Sequence, residues 1–469
     1  MGQLGFSAFF PLLIFCLVII LILSGFRTFP PKTLKRKWGK IDYATAPLLG
    51  VLILAIGGFI NQDILKRGLL GSDHIRPYSI IILFFSLAYI CISLDLTGFF
   101  EYLSLKTVQK AGNSGRKLFI SFYFLASGLT IFTSNDIVIL TLTPIICYFA
   151  KYTKINPVPY LIAQFFAANI WSITLYIGNP TNIIVAEAYD LTFLEYSKWM
   201  VFPVLVAGLS ALLLLLFVFR KQIPKTFEPP EINPESALKD KNGAYFGIIC
   251  LLSCLILLTI APFISLELWQ ICLVFAVLMI CRDLIFDLRT KSKSPNNNEF
   301  TSNNVLKTKF RSAWLRMPWK IMPFIIGMFI LIETLVDSGI VDIIAAAFSS
   351  VSTSLTGAVL FMIIISALAC NLMNNQPMTI LFTQILFSPS FTLEGSLKYG
   401  AMLALIMGSN FGANFTLIGA LAGIMWHRIL LDKEVRISFK EFAINGLKIM
   451  PFVVLLAGLA LILEIWLFF

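Results

Sequence analysis

The chain has 469 residues, 58% of them hydrophobic and 13% charged, with a formal net charge of +11. Such a balance excludes an ordinary soluble domain and points to lipid as the surroundings. The excess of Lys and Arg gathers in loops between apolar runs, the pattern of cytoplasmic loops and not of a nucleic-acid surface.

The first apolar run, residues 4–26, lacks a charged leading region and a small-residue cleavage site, so it reads as a retained span. About 20 apolar residues cross a bilayer, and the next spans lie near 44–60 and 78–96. Basic clusters at 27–40, 106–117, 151–154 and 220–225 are placed in the cytoplasm. Residues 118–150 then begin and end on the same side, which a single crossing forbids. They are read as a re-entrant helical hairpin with its tip at Thr133-Ser134-Asn135-Asp136. A polar tip at membrane depth is tolerated only where protein or water surrounds it. A crossing over 157–189 follows, broken at Gly178-Asn179-Pro180-Thr181-Asn182, because proline withholds a donor and glycine loosens the helix. Residues 199–219 return the chain to the cytoplasm, where the Pro-, Glu- and Lys-rich stretch 221–242 forms a linker.

Residues 243–469 repeat the plan of residues 1–220 upside down. Crossings near 244–264 and 268–281 lead to a polar segment, 283–316, and a span over 321–336. A second hairpin occupies 355–387 with its tip at 371–377. A second broken crossing, 399–426, is interrupted at 408–414, and the last span begins at Phe442. Thr97-Gly98-Phe99-Phe100-Glu101 corresponds to Ser338-Gly339-Ile340-Val341-Asp342, and Ser134-Asn135-Asp136 to Asn374-Asn375-Gln376. The expected fold is an all-α polytopic membrane protein of two inverted repeats, each with five crossings and one hairpin. Paired broken helices of this kind mark many secondary transporters. Both chain ends are expected outside the inner (plasma) membrane.

Two tips and two breaks meeting near the midplane would offer free N–H groups, carbonyls and amide side chains to a solute or ion. The candidate contacts are Ser134, Asn135 and Asp136; Gly178, Asn179, Pro180, Thr181 and Asn182; Asn374, Asn375, Gln376 and Pro377; and Gly408, Ser409, Asn410, Gly412, Asn414 and Thr416. Asp136 is the coupling candidate, since an ionised carboxylate at mid-membrane depth costs about 3 kcal/mol unless a cavity or partner receives it. The alternative is a cap on the second hairpin arm. Glu333, inside an apolar run, is a second coupling candidate or a scaffold contact, whereas Glu101, Asp342, Glu195 and Glu441 read as solvated caps. Eight cysteines lie in apolar segments without a C-x-x-C pair and read as reduced, inert thiols, Cys147 and Cys370 included. Only His74 and His427 are histidines, and zinc, triad and P-loop motifs are missing, so neither an enzyme nor a metal centre is expected. The cofactor expectation is none beyond a coupling proton or sodium ion. A passive channel is disfavoured because tips and breaks build a local occluding site.

Ser134-Asn135-Asp136 with Leu140-Thr141-Leu142-Thr143-Pro144, the stretch 178–185, Asn374-Asn375-Gln376-Pro377, and Gly408-Ser409-Asn410-Phe411-Gly412-Ala413-Asn414 closed by Trp426 resemble the arsenite efflux permeases. That family is a branch of the ion transporter superfamily, which also holds sodium/proton antiporters and carriers of dicarboxylates, citrate and sulfate. The resemblance implies an elevator-type transporter, a homodimeric scaffold and proton-coupled efflux of arsenite and antimonite, and it leaves room for an energising ATPase subunit. A sodium- or proton-coupled carrier of a small carboxylate or inorganic anion, or a sodium/proton antiporter, is the alternative. Arsenite members tend to carry an acid where this chain has Asn410.

Overall fold

A computed structural model describes residues 5–27, 42–72, 75–228, 233–292 and 308–469. His74, most of the basic cluster at 27–40, linker positions 229–232 and the middle of the polar segment 283–316 lie outside the described residues.

Among the described residues all regular structure is helical. α1 (Phe6–Arg27), α2 (Ala46–Ile56), α3 (Gln62–Leu70), α4 (Pro77–Leu96) and α5 (Phe99–Ala111) precede a hairpin of α6 (Gly115–Phe132) and α7 (Asn135–Thr153). α8 (Val158–Trp171), a short 3-10 turn at Tyr176–Gly178 and α9 (Pro180–Ala188) make an interrupted helix, followed by α10 (Phe193–Phe219). In the second half come α11 (Lys241–Ile264), α12 (Leu268–Ser292), α13 (Lys309–Arg316), α14 (Ile321–Asp337) and α15 (Ile340–Val351). The hairpin α16 (Leu355–Met373) and α17 (Asn375–Phe387) leads to α18 (Gly395–Phe411), a 3-10 turn at Gly412–Asn414, α19 (Leu421–Asp432) and α20 (Phe439–Phe468).

Among the described residues seven helices are long and apolar enough to cross a membrane: α4, α7, α10, α11, the α13–α14 stretch, α16 and α20. Their outward faces carry Phe, Leu and Ile, for instance Leu213, Phe263 and Phe452, which in water would be a liability and in lipid is the expected surface. Two packing groups arise. α4 lies along α11, α12 and α13, and α14 along α1, α2 and α3, while α6 to α9 and α16 to α19 pack on one another and on α10 and α20, which pack together.

The crossing expected near 44–60 is not formed as such. α2 has 11 residues, about 16 Å of rise, half of a bilayer's apolar thickness. Gly57 and Gly58, the latter at φ +77°, end it, and the chain reverses so that α3 returns along the same neighbour. The reversal is visible in the packing: Gly50 sits against Leu331 and Gly68 against Ile330, adjacent positions of α14. α5 and α15, each begun by a left-handed glycine (Gly98 at φ +85°, Gly339 at +77°), are helices that the apolar pattern leaves hidden in loops.

Both tips and both breaks also differ in extent from the expectation. The first hairpin turns at Thr133 and Ser134 alone, and Asn135 and Asp136 already form the first turn of α7. The second turns at the single residue Asn374, held at φ +73°, so 371–373 and 375–377 are helical. The first interruption falls at 172–179, and Pro180, Thr181 and Asn182 open α9, with proline in the first-turn position where its missing donor costs nothing. The second begins at Gly412: Gly408, Ser409 and Asn410 remain helical in α18. Gly408 is there for contact and not for a break, because a Cβ would come within 2.6 Å of Ser366 Cβ and 2.7 Å of the Ile363 carbonyl on α16.

Candidate substrate and ion site

The start of α7 is built by two side chains. Ser134 Oγ accepts from the Ile137 amide at 3.4 Å, and Asn135 Oδ1 from the Asp136 amide at 2.9 Å. Capping therefore falls to Ser134, and the Asp136 carboxylate is left over. It has no hydrogen-bond or ion-pair partner among the described residues and faces a cavity of about 850 Å³. Ser134, Asp136 and Ile137 line one part of it, Phe84, Ala88 and Ile92 of α4 a wall, and Asp95, Glu101, Lys239, Arg316 and Lys320 bring charge to it. These charges are paired: Asp95 with Arg316 at 2.9 Å and with Thr141 Oγ1 at 3.3 Å, Glu101 with Lys239 at 3.9 Å, and Lys320 with Asp42 at 2.5 Å. Burial pushes the Asp42 carboxyl up, but the hydrogen bond and charge of Lys320 outweigh it and the net direction is down. Asp136 is thus the one acid lining the cavity without a cation among the described residues.

Behind the first tip the amides interlock. Asn135 Nδ2 donates to Asn169 Oδ1 at 3.0 Å, and Asn169 Nδ2 donates to Asn414 Oδ1 at 2.9 Å, which links the first hairpin to α8 and to the second break. Asn410 is the hub between the two interrupted helices. Its Oδ1 accepts from Asn179 Nδ2 at 2.7 Å and from Ser172 Oγ at 2.9 Å, and its Nδ2 donates to Asn182 Oδ1 at 2.8 Å. Ser409 Oγ donates to Thr181 Oγ1 at 3.1 Å. Asn182 Nδ2 in turn donates to the carbonyls of Ser172 (2.8 Å) and Leu175 (3.3 Å), the latter also accepting from the Gly178 amide at 3.0 Å, so these two carbonyls of the break are satisfied from within the protein.

The second tip is fastened to the second break by backbone. The Asn375 amide donates to the Gly419 carbonyl at 3.0 Å and Asn374 Nδ2 to that of Ile418 at 3.2 Å, while Thr416 Oγ1 donates to Asn371 Oδ1 at 2.5 Å. Two acceptors here stay open: Asn374 Oδ1 and Gln376 Oε1 are buried without a partner among the described residues. Pro377 lies in the first turn of α17. Gly178 and Gly412 are required by contact, since a Cβ would reach 2.1 Å from the Ser172 carbonyl and 2.5 Å from Cys370 Cβ respectively. Cys370 is fully buried with its Sγ 3.5 Å from the Ser409 carbonyl.

Glu333 stands apart from this network. It accepts from Arg67 Nε at 3.1 Å and from Gln384 Nε2 at 2.6 Å, joining α3, α14 and α17. Asp342 accepts from Ser388 and Glu195 from Tyr399, so neither is a free cap. Sequence reasoning missed Asn169 and Ser172. The signal available was their spacing of three, which puts Asn169 in the last turn of α8 and Ser172 at its C-cap, where the break begins.

The sequence model of the citrate transporter family CitMHS matches residues 36–398. Relatives include an arsenical pump membrane protein of Escherichia coli, 29% identical over 461 residues, 96% of this chain and 98% of that one. Another is the arsenical pump membrane protein of Yersinia enterocolitica, 29% identical over 391 residues, 81% and 86% of the two chains. Among solved structures the fold is similar to the Alcanivorax borkumensis YdaH transporter (TM-score 0.53, 13% identity, 99% of each chain). It is also similar to Neisseria gonorrhoeae MtrF, described with a class of antimetabolite efflux pumps (TM-score 0.54, 12% identity, 97% and 94% of the chains). The chain belongs to the CitMHS family of the ion transporter superfamily and is a multi-pass membrane transporter, not an enzyme.

Proposed function

We propose that this transporter is a secondary active exporter of trivalent arsenite and antimonite, driven by protons that Asp136 takes up and releases. The observation that carries the reading is the uncompensated Asp136 carboxylate facing the cavity beside a hairpin tip. Its cost in a low-dielectric site falls when a proton or cation binds, and that exchange is what coupling requires. The network behind it, Asn135, Asn169, Asn179, Asn182, Asn410 and Asn414, is neutral throughout. Arsenous acid is an uncharged trihydroxy solute near neutral pH, and amides with hydroxyls match it better than a cationic clamp would. The open acceptors of Asn374 and Gln376 suit its O–H groups or a sodium ion. Relatives that span nearly the whole chain carry the arsenical pump name.

The paired hairpins, paired breaks and the left-handed Gly98 and Gly339 after α4 and α14 support an inverted repeat, the two halves meeting at the linker 221–242. In this reading the two hairpins and two interrupted helices move as a body against a homodimeric scaffold in the inner membrane, with both ends outside. The second reading is a proton- or sodium-coupled carrier of a small carboxylate, favoured by the citrate-transporter family match.

A host lacking its own exporter, given this gene and grown on arsenite, antimonite or citrate, separates the two. Resistance to arsenite and antimonite is the expected result, and growth on citrate without resistance sinks the export reading. Everted vesicles with an imposed pH gradient and no ATP then decide whether an ATPase partner is needed.

A further inference from the structure

Glu187 lies on α9, five positions after Asn182. Its carboxylate accepts from Tyr176 Oη at 2.5 Å and from Ser79 Oγ at 2.7 Å. Both donors are neutral hydroxyls, and no Lys or Arg pairs with Glu187 among the described residues. Asp95, Asp240, Asp283 and Glu333, by contrast, each hold a cation. The titratable groups around Glu187 do not offset its charge. They are the Tyr176 phenol, Asp190 just past α9, the Cys272 thiol of α12, and Glu267 ahead of α12, whose charge is met by Arg76 at 3.2 Å. From the other side α17 brings Phe387 against Tyr189, and α18 brings Ser409 to Thr181.

The position is as telling as the chemistry. Ser79 is in the first turn of α4, whereas Asp95, in its last turn, faces the cavity that holds Asp136. Sixteen residues at helical rise separate these two ends by about 24 Å. Two carboxylates without a cation therefore sit at opposite ends of one helix, one carried by the hairpin arm α7 and the other by the broken-helix arm α9.

We propose that Glu187 is a second proton-binding site, open to the face opposite the Asp136 cavity, and that its charge sets how firmly α9 holds to α4. Ionised, it makes two charge-assisted bonds; protonated, these become ordinary ones of about half the strength. One proton comes from the solution at that face and returns to solution, only an O–H bond forming and breaking. The inference rests on the proton-driven reading above and gives that carrier two titratable sites, one on each side of the buried amide network.

The test uses the full-length protein in proteoliposomes. Infrared difference spectra recorded across a pH series report the carbonyl stretch of protonated carboxyl groups. The wild type is expected to show a titrating band that Glu187→Gln removes and Asp136→Asn leaves in place. In solute exchange, Glu187→Gln should flatten the dependence on pH at the Glu187 face, where the proton occupancy of a single wild-type site falls about tenfold per pH unit above its midpoint. Ser79→Ala, which removes one donor and no charge, should shift that profile without abolishing it, and it stands in if Glu187→Gln does not insert. An unchanged titrating band in Glu187→Gln, or an unshifted one in Ser79→Ala, overturns the proposal. Exchange insensitive to pH in the wild type defeats the proton-driven reading, while the infrared arm still decides Glu187.

Discussion

Asn410 Oδ1 accepts the amide hydrogen of Asn179 at 2.7 Å, joining two interrupted helices that are 231 residues apart in the chain. Both residues are buried, and the same Asn410 side chain also reaches Ser172 and Asn182. Asn410→Ala would strand at least two of these polar groups, each at about 1–3 kcal/mol. A lowered melting temperature in detergent together with lost transport is the expected outcome. A fully stable, active variant would show that the two breaks hold together without their hub.

For Asp136 the expectation concerns energy coupling. Because Ser134 makes the cap, Asp136→Asn should leave α7 intact, whereas Ser134→Ala should lower stability by about 1 kcal/mol. Vesicles containing Asp136→Asn should keep downhill exchange and lose accumulation against a gradient. Gradient-driven uptake that follows the wild-type pH profile would remove Asp136 from the coupling step.

The breaks depend on missing side chains. A methyl at Gly178 would come within 2.1 Å of the Ser172 carbonyl, and one at Gly419 within 2.5 Å of the Gly412 carbonyl, while at Gly128 nothing lies within 4 Å. Gly178→Ala and Gly419→Ala should therefore distort the site and abolish uptake. Gly128→Ala should be neutral or slightly stabilising through helix propensity. Equal activity in all three would mean the backbone at the breaks yields easily.

Glu333 accepts from Arg67 on α3 and from Gln384 on α17. Removing only the cation leaves a buried acid exposed to its own desolvation penalty. Arg67→Met should thus lower the melting temperature more than the double change Arg67→Met, Glu333→Gln. Glu333→Gln alone should keep the pH dependence of transport, and its disappearance would make Glu333 a coupling residue after all.

At the linker's end, Asp240 meets Arg282 and Lys309. Burial raises the Asp240 carboxyl, but the hydrogen bonds from Lys309 and Arg282 outweigh it and the net direction is down. A depressed folded-state value contributes stability above the ordinary Asp range, and that stability is lost as pH falls through the folded value. Thermal melts between mildly acidic and strongly acidic buffer should show this loss in the wild type and much less of it in Asp240→Asn.

The sequence by itself determined the membrane class, the two polar tips, the interrupted helices and most of the amides that meet there. Apolar runs, prolines and asparagines at depth leave a local signature, because lipid penalises every unsatisfied polar group along the chain. Local pattern also misled: Gly408 looked like a break and is a packing contact, and the run 44–60 looked like a span and is a short arm reversed at Gly58. Which partner each polar group finds was decided only in three dimensions. Asn169 and Ser172 join the network through residues more than 200 positions away, and Glu187 gains its meaning from Ser79 on a distant helix. Hydrogen bonds across helices depend on rotation and depth, and a one-dimensional pattern of apolar and polar letters records neither for residues so far apart.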